Sequence, residues 1–169
     1  MDIYLISHCR FFFGTNSGPS DVATLFKRPM ILVNTNEWTF CSPLKKGDLV
    51  LIKHTFSRSR NRFLSIKELL DEPIGCQVFR GSEEYVKIEN TPDEIQDVIE
   101  EFLSERQNFE YSDLQEAFNE GRSRQIRRWL DEGEPFWPAA AKEDLIVDQY
   151  RIASRADSVA GTLGRKYLE

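Results

Sequence analysis

Short apolar runs separated by polar and small residues dominate the first third of the chain. Phe11–Phe13 ends at Gly14, Met30–Val33 ends at Asn34, and Asp48–Ile52 is a third run of the same kind. Unbroken apolar runs of this length are typical of strands in a parallel sheet that is covered on both faces. The pattern predicts three strands, and we expect the first to be fully covered.

A helix is predicted between the first two runs, from Gly18 to Lys27. Pro19 suits the first helical position, because its missing N–H costs nothing there and its φ is already helical. Gly18 is then the expected N-cap, with Ser17 as the alternative, and Pro29 stops the helix from continuing. A strand, a helix and a second strand in this order predict two parallel strands joined by a right-handed crossover.

One helix start stands out in the second half of the chain. Thr91, Pro92 and Glu94 form a capping box with proline at the first helical position. The apolar residues after it recur at helical spacing and predict a face that packs on the sheet: Ile95, Val98, Ile99 and Phe102. Weaker patterns predict helices over Asp2–Cys9, Phe63–Leu70 and Leu114–Leu130, the last broken near Gly121, and strands over Cys76–Phe79 and Tyr85–Ile88.

Together these elements predict an α/β fold, a partial Rossmann-like parallel sheet with helices on both faces and a helical C-terminal half. We expect a nucleotide-binding unit over 1–110 and a helical extension over 111–169 that packs on it. Glu143–Leu168 has a weak amphipathic pattern, and an apolar face exposed there would promote self-association.

The small-residue segment after the first strand is the best candidate for ligand binding. A helix N-terminus at the carboxyl end of a strand gathers unpaired N–H groups and the positive end of the helix dipole, which favours an anion such as phosphate. Gly14 and Gly18 let a ligand approach the backbone. The segment matches neither the phosphate loop ending in Gly-Lys-Ser/Thr nor the dinucleotide Gly-x-Gly-x-x-Gly. An ordinary capped turn is the alternative, and Asp21, expected at the third helical position with its carboxylate reaching back to the cap, would repel phosphate.

Positive charge is concentrated between Lys45 and Lys67, where seven basic residues stand against one acid. The whole chain carries a formal net charge of −6, so this stretch is a local exception. Basic residues at this density suit a diphosphate, and Lys53, at the end of the third strand, is the best single candidate. Two alternatives stay open: a solvated basic loop, and contact with RNA through the basic residues and the interspersed Phe56 and Phe63.

The segment Arg10–Asn34, RFFFGTNSGPSDVATLFKRPMILVN, resembles the C-terminal domain of a family of bacterial GT-B-like glycosyltransferases associated with surface-carbohydrate synthesis. The GTSSGPS-like loop of that family stands here as Gly14–Ser20, and weaker similarity covers most of the chain. Such proteins have two Rossmann-type domains that face each other across a cleft, and the C-terminal domain holds the donor nucleotide. The resemblance implies a donor-binding domain truncated at its N-terminus, without the acceptor-side domain that precedes it in the family.

A function and a set of site residues follow as expectations. The resemblance implies the donor part of an enzyme that transfers sugar from a nucleotide-sugar to a carbohydrate acceptor, with no cofactor and no tightly bound metal. The general base would come from the other domain, so catalytic residues in this chain stay unknown and the chain alone would transfer nothing. A non-catalytic nucleotide- or phosphate-binding module is the alternative. The expected diphosphate ligands are Thr15, Ser17, Gly18, Ser20, Lys53 and Arg60; Glu68 is expected to bind the ribose hydroxyls, and Trp38 to stack on a base or sugar.

Composition narrows the remaining classes of protein. The 169 residues, 40% of them hydrophobic, suffice for one sizeable core. No apolar run approaches the length of a membrane span, and the start of the chain lacks the basic residues of a signal peptide. Three widely spaced cysteines form neither a zinc pattern nor a disulfide framework, which favours reduced thiols and a cytoplasmic location. His8 and His54 have no partner at metal-ligand spacing and are expected to be structural or surface residues.

Overall fold

The computed structural model of the chain describes residues 2–36, 45–71, 83–105, 108–132 and 160–169. Its helices are α1 (Asp2–His8), α2 (Gly18–Leu25), α3 (Ile66–Asp71), α4 (Pro92–Glu105), α5 (Asp113–Glu132) and α6 (Arg165–Leu168). Its strands are β1 (Phe12–Gly14), β2 (Met30–Thr35), β3 (Leu49–Ile52), β4 (His54–Ser57), β5 (Arg62–Phe63), β6 (Tyr85–Ile88) and β7 (Thr162–Leu163). The expected strand Cys76–Phe79 and the expected stacking residue Trp38 lie outside the described residues.

Four strands form a parallel sheet in the order β1-β2-β3-β7. Phe12 lies beside Met30 and Ile31 beside Leu49, so the parallel strand-helix-strand unit that the sequence predicts is confirmed. The expectation of a fully covered first strand is wrong, because Phe13 is 44% exposed. Among the described strands β1 pairs with β2 alone, so it is an edge strand, whereas the apolar residues of β2 and β3 are buried.

The fourth strand of this sheet comes from the C-terminal end of the chain. Thr162 and Leu163 pair in parallel with Leu49 and Val50, and both are fully buried. The weak amphipathic pattern of this segment predicts helix, and the only described helix in it is the short α6. Of the apolar residues expected to form an exposed face in this segment, Leu163 and Tyr167 are described and pack into the core, and the others lie outside the described residues.

Helices cover both faces of the sheet, as predicted. On one face Ala23 of α2, Leu69 of α3 and Phe118 of α5 pack against alternate residues of β2 and β3. On the other face Val98 and Phe102 of α4 pack against the strand residues that alternate with the first set. These are Ile31 and Val33 of β2, and Leu49 and Leu51 of β3. The period of two along each strand divides the apolar side chains between the two clusters. The result is an α/β sandwich of three layers.

After β3 the chain forms a smaller antiparallel sheet, with the strand order β5-β4-β6. Only Lys53 separates β3 from β4, and β4 pairs with β5 as a hairpin and with β6 along its whole length. The residues from 57 to 62, expected to be a polar connection to a helix, are instead the end of β4, a turn and the start of β5. Phe63 is accordingly a strand residue, and the helix expected from Phe63 starts only at Ile66.

Two predictions about the later helices had different outcomes. The capping box of α4 is confirmed, because the Thr91 N–H donates to Glu94 Oε2 at 2.7 Å and the Glu94 N–H donates to Thr91 Oγ at 3.3 Å. The predicted break near Gly121 is wrong, since α5 runs without interruption from Asp113 to Glu132. Gly121 is buried against α3, and a Cβ atom there would lie 2.8 Å from Leu70 Cδ1. The glycine therefore allows two helices to approach each other and does not end one.

Candidate functional site

The segment between β1 and α2 is a short loop in which Ser17 is the N-cap and Ser20 the third helical residue. The Ser17 N–H donates to Ser20 Oγ at 3.1 Å, and the Ser20 hydroxyl donates to the Ser17 carbonyl oxygen at 2.7 Å. The cap is thus the alternative that the sequence left open, one residue before Gly18. Asp21 follows the third helical position and does not close the capping box. Ser20 is 3% exposed, so its hydroxyl stabilises the loop itself.

The outer side of this loop is open to solvent. The residues from 15 to 19 are exposed, and a Cβ atom at Gly18 would meet nothing within 4 Å. Pro19 has no N–H, and the Ser20 N–H donates to the Ser17 carbonyl oxygen at 2.9 Å. The first turn therefore offers an anion the Gly18 amide. The exposed Thr15 and Ser17 precede this amide in the chain, and the Ser17 hydroxyl donates to the Thr15 carbonyl oxygen at 3.3 Å.

Lys53 lies at the carboxyl end of β3, at the same edge of the parallel sheet as the β1–α2 loop. Its N–H donates to the Thr35 carbonyl oxygen at 2.7 Å, which fixes the backbone at the point where β3 passes into β4. The Lys53 ammonium lies 3.6 Å from a carboxylate oxygen of Glu89, whose side chain is 72% exposed. An ion pair with so exposed a partner is weak and easily exchanged, so Lys53 keeps its capacity to neutralise a ligand.

Two asparagines tie this edge of the sheet to the start of α4. The Asn34 N–H donates to Asn90 Oδ1 at 2.8 Å, and the Asn90 N–H donates to Asn34 Oδ1 at 2.6 Å. Asn90 Nδ2 also donates to the Ile52 carbonyl oxygen at 2.8 Å. Asn34 has φ of 53°, a left-handed conformation that asparagine tolerates better than most residues. This contact was not predicted from the sequence, although an asparagine at the end of a strand is a recognisable signal for such a turn.

Arg60 and Glu68, expected to bind different parts of a nucleotide-sugar, bind each other. Arg60 Nη1 donates to Glu68 Oε1 at 3.1 Å, and Arg62 donates to both oxygens of that carboxylate, at 2.8 and 2.6 Å. The Ser65 N–H donates to Glu68 Oε2 at 2.9 Å. Hydrogen bonds from Arg62 and Ser65 hold the pKa of Glu68 far below its usual range. Glu68 thus joins the β4–β5 hairpin to the start of α3.

His54 pairs with Glu94 near the same edge. His54 Nε2 lies 2.8 Å from Glu94 Oε1, and the imidazole ring contacts the rings of Phe63 and Tyr167 at centroid distances of 5.7 and 5.3 Å. Glu94 Oε2 meanwhile closes the capping box of α4 with Thr91. A single carboxylate therefore links β4 to the first turn of α4, and His54 has the structural surroundings that the sequence analysis expected.

The basic stretch is distributed over separate parts of the fold. Lys45 lies before β3, at the opposite end of that strand from Lys53, and its ammonium donates to the Lys27 carbonyl oxygen. Its backbone N–H donates to Asp48 Oδ2 at 3.2 Å. Arg60 and Arg62 belong to the β4–β5 hairpin. The seven basic residues are thus close in sequence without forming one surface.

Comparison with protein-family models, with curated proteins and with solved structures finds no match to this chain. Among the helices of the described residues, none combines the length and the apolarity that crossing a bilayer requires.

Proposed function

We propose that this chain is the donor-binding part of a glycosyltransferase that uses a nucleotide-sugar and transfers the sugar to a surface-carbohydrate acceptor. The diphosphate lies over the β1–α2 loop, against the Gly18 amide and the hydroxyls of Thr15 and Ser17. Lys53 faces it from the end of β3. Ligands of open α/β sheets bind outside the carboxyl ends of the strands, where both groups are found.

The observation that carries this proposal is the open amino end of α2. The helix follows a strand of the parallel sheet after a short loop, its first two residues are exposed, and Gly18 has free space around its α-carbon. Backbone groups can therefore contact phosphate oxygens without a side chain in between. The positive end of the helix dipole favours the charge that develops on the departing nucleoside diphosphate.

The loop alone offers few hydrogen-bond donors to a diphosphate, so nearby charges affect its binding. Lys53 favours binding and Asp21 disfavours it. Pro19 lacks an N–H and the Ser20 N–H is used within the loop, so fewer amides face the ligand than in a phosphate loop. The ammonium of Lys53 compensates part of the phosphate charge. The exposed carboxylate of Asp21, in the first turn of α2, opposes it.

Titration calorimetry of the full chain with UDP and GDP tests the proposal through variants that keep the fold. Gly18→Val places a branched side chain in open space and should abolish measurable binding. Lys53→Gln should weaken binding about fivefold, roughly 1 kcal/mol, whereas Lys67→Gln, an exposed lysine on α3, should leave it unchanged. Asp21→Asn should strengthen binding by removing the repulsion. Equal affinities in the wild-type chain and Gly18→Val would overturn the proposal.

Transfer itself needs a second measurement. Supplied with an acceptor-side domain of the resembled family, the chain should release nucleoside diphosphate from a panel of nucleotide-sugars, and Gly18→Val should not. Nucleotide binding without any such release would favour the non-catalytic nucleotide-binding module instead.

A further inference from the structure

The turn between β4 and β5 surrounds the carboxylate of Glu84 with hydrogen-bond donors. The Ser57 hydroxyl donates to Glu84 Oε1 at 2.6 Å and the Ser59 hydroxyl donates to the same oxygen at 2.7 Å. The Ser59 N–H is shared between the two carboxylate oxygens, at 3.1 and 3.3 Å. Two hydroxyls and one amide thus converge on one oxyanion.

The pairing of β4 with β6 sets up this geometry. Ser57 lies opposite Tyr85, and the Arg58 N–H donates to the Glu84 carbonyl oxygen at 2.9 Å, so Glu84 stands beside the turn. The Arg60 N–H donates to Ser57 Oγ at 3.2 Å. Because Ser57 Oγ accepts that bond, its own hydrogen is directed to the carboxylate. The donors are therefore oriented by the backbone of the turn.

The electrostatic surroundings of the turn favour a negative charge. Three arginines, Arg58, Arg60 and Arg62, lie in or next to it, and two of them, Arg60 and Arg62, also donate to the Glu68 carboxylate. Hydrogen bonds from Ser57 and Ser59, together with the positive charge of Arg60, lower the pKa of Glu84 below its usual range. Ser57 is fully buried while Ser59 is exposed, so the group of donors around the Glu84 carboxylate is closed to solvent at Ser57 and open to solvent at Ser59.

We propose that the turn from Ser57 to Arg60 is a phosphate-binding loop, and that Glu84 fills it in this structure as an internal substitute for the ligand. A phosphate group, free or carried by a nucleotide, displaces the Glu84 carboxylate and takes the bonds from Ser57 and Ser59. Hydroxyls, a backbone amide and adjacent arginines are the donors that recognise phosphate in proteins. This site is separate from the β1–α2 loop and does not depend on the transferase proposal.

The test is an amide-resolved NMR titration of the full chain with inorganic phosphate, and separately with UDP, at constant ionic strength. Glu84→Gln removes the competing charge, and Glu83→Gln, its exposed neighbour, removes an equal charge outside the turn. The Ser59 amide should respond with about fivefold higher affinity in Glu84→Gln than in the wild-type chain, while Glu83→Gln stays within about twofold. Ser59→Ala added to Glu84→Gln should abolish the response.

Glu84→Asp keeps the negative charge but has a shorter side chain, which withdraws the carboxylate from the turn. It is the second test variant, used if Glu84→Gln disturbs the hairpin. It should bind phosphate more tightly than the wild-type chain and less tightly than Glu84→Gln. Stronger binding of UDP than of phosphate identifies a nucleotide as the source of the phosphate group, and equal binding identifies free phosphate; either result supports the site. A Ser59 amide that does not respond in folded Glu84→Gln or Glu84→Asp would show that Glu84 only fastens the hairpin, and would overturn the inference. Responses at Gly18 report the other site and separate the two proposals.

Discussion

Asn34 and Asn90 each donate a backbone N–H to the side-chain oxygen of the other, at 2.8 and 2.6 Å, across 56 positions of sequence. This reciprocal pair fixes the end of β2 to the residue that precedes the capping box of α4. It also aligns the carboxyl ends of β2 and β3, because Asn90 Nδ2 bonds the Ile52 carbonyl oxygen. The edge of the sheet that carries Lys53 is therefore held in place by side chains that belong to no predicted site.

Replacing Asn90 by alanine should lower the free energy of unfolding more than the same substitution at an exposed asparagine. Asn90→Ala leaves the Asn34 N–H without its partner, in a place where Asn90 is 7% exposed, and removes one of the two hydrogen bonds to the Ile52 carbonyl oxygen, the other coming from the Tyr167 hydroxyl. We expect a loss of about 2–3 kcal/mol in the free energy of unfolding, measured in urea. Asn108→Ala is the matched control, because Asn108 is exposed, and it should change stability by less than about 0.5 kcal/mol. Equal effects of the two variants would contradict the role given to the pair.

The buried carboxyl group of Asp48 should give stability an unusual dependence on pH. Burial raises the pKa of Asp48 to about 6, although the N–H groups of Met30 and Lys45 donate to its oxygens. The folded state therefore binds this proton more tightly than the unfolded chain, and the contribution of Asp48 to stability increases as the pH falls through 6. The gain between pH 7 and pH 5 should be about 1 kcal/mol.

Asp48→Asn isolates that contribution from those of the other carboxylates. The amide still accepts one of the two N–H bonds but does not titrate in this range. Urea unfolding at both pH values should show the wild-type chain gaining stability relative to Asp48→Asn on acidification. A difference between the two proteins that is independent of pH would refute the assignment.

Glu94 should matter to stability more than a neighbouring acid in the same turn. Its carboxylate accepts bonds from the Thr91 N–H at 2.7 Å and from His54 at 2.8 Å. Glu94→Ala removes the capping box and the link to β4, at a cost of about 1–2 kcal/mol. Asp93→Ala removes the same charge from an exposed position and should cost much less. Thermal unfolding of both variants distinguishes the cap from a general effect of charge near the helix dipole.

Gly121 and Leu70 should be energetically coupled. Gly121→Ala improves helix propensity by up to about 1 kcal/mol, but its Cβ atom would lie 2.8 Å from Leu70 Cδ1. In a Leu70→Ala background the contact disappears, so Gly121→Ala should then stabilise the chain. A double-mutant cycle measured by urea unfolding should give a coupling of about 1 kcal/mol, and strict additivity would be inconsistent with close contact of α3 and α5.

Local signals made much of the fold predictable from sequence. Each of these signals depends only on residues a few positions apart, and each predicted the correct element. They are the apolar runs around Met30 and Leu49, the proline at position 19, and the capping box at Thr91. The open β1–α2 loop followed from the same kind of signal, since glycine and proline punctuate a chain wherever it folds. Only the position of the N-cap shifted by one residue, from Gly18 to Ser17.

The features that were missed depend on partners distant in sequence. Thr162–Leu163 has two residues, too few for a period-two pattern, and becomes a strand because β3 offers it a free edge. Gly121 carries the signature of a helix break, and only the packing of Leu70 gives it another role. Glu68 could not be excluded as a ribose ligand without knowing that the β4–β5 hairpin brings Arg60 and Arg62 to it.

The central claim is that the amino end of α2 receives the diphosphate of an activated sugar. Amide chemical shifts of the full chain, followed while UDP or GDP is added, test it most directly. We predict saturable shifts at Ser17 and Gly18, together with Lys53 at the end of β3, and no comparable shift at Lys45 before β3. Unchanged Ser17 and Gly18 signals at millimolar nucleotide, in a chain whose spectrum shows it to be folded, would contradict the claim.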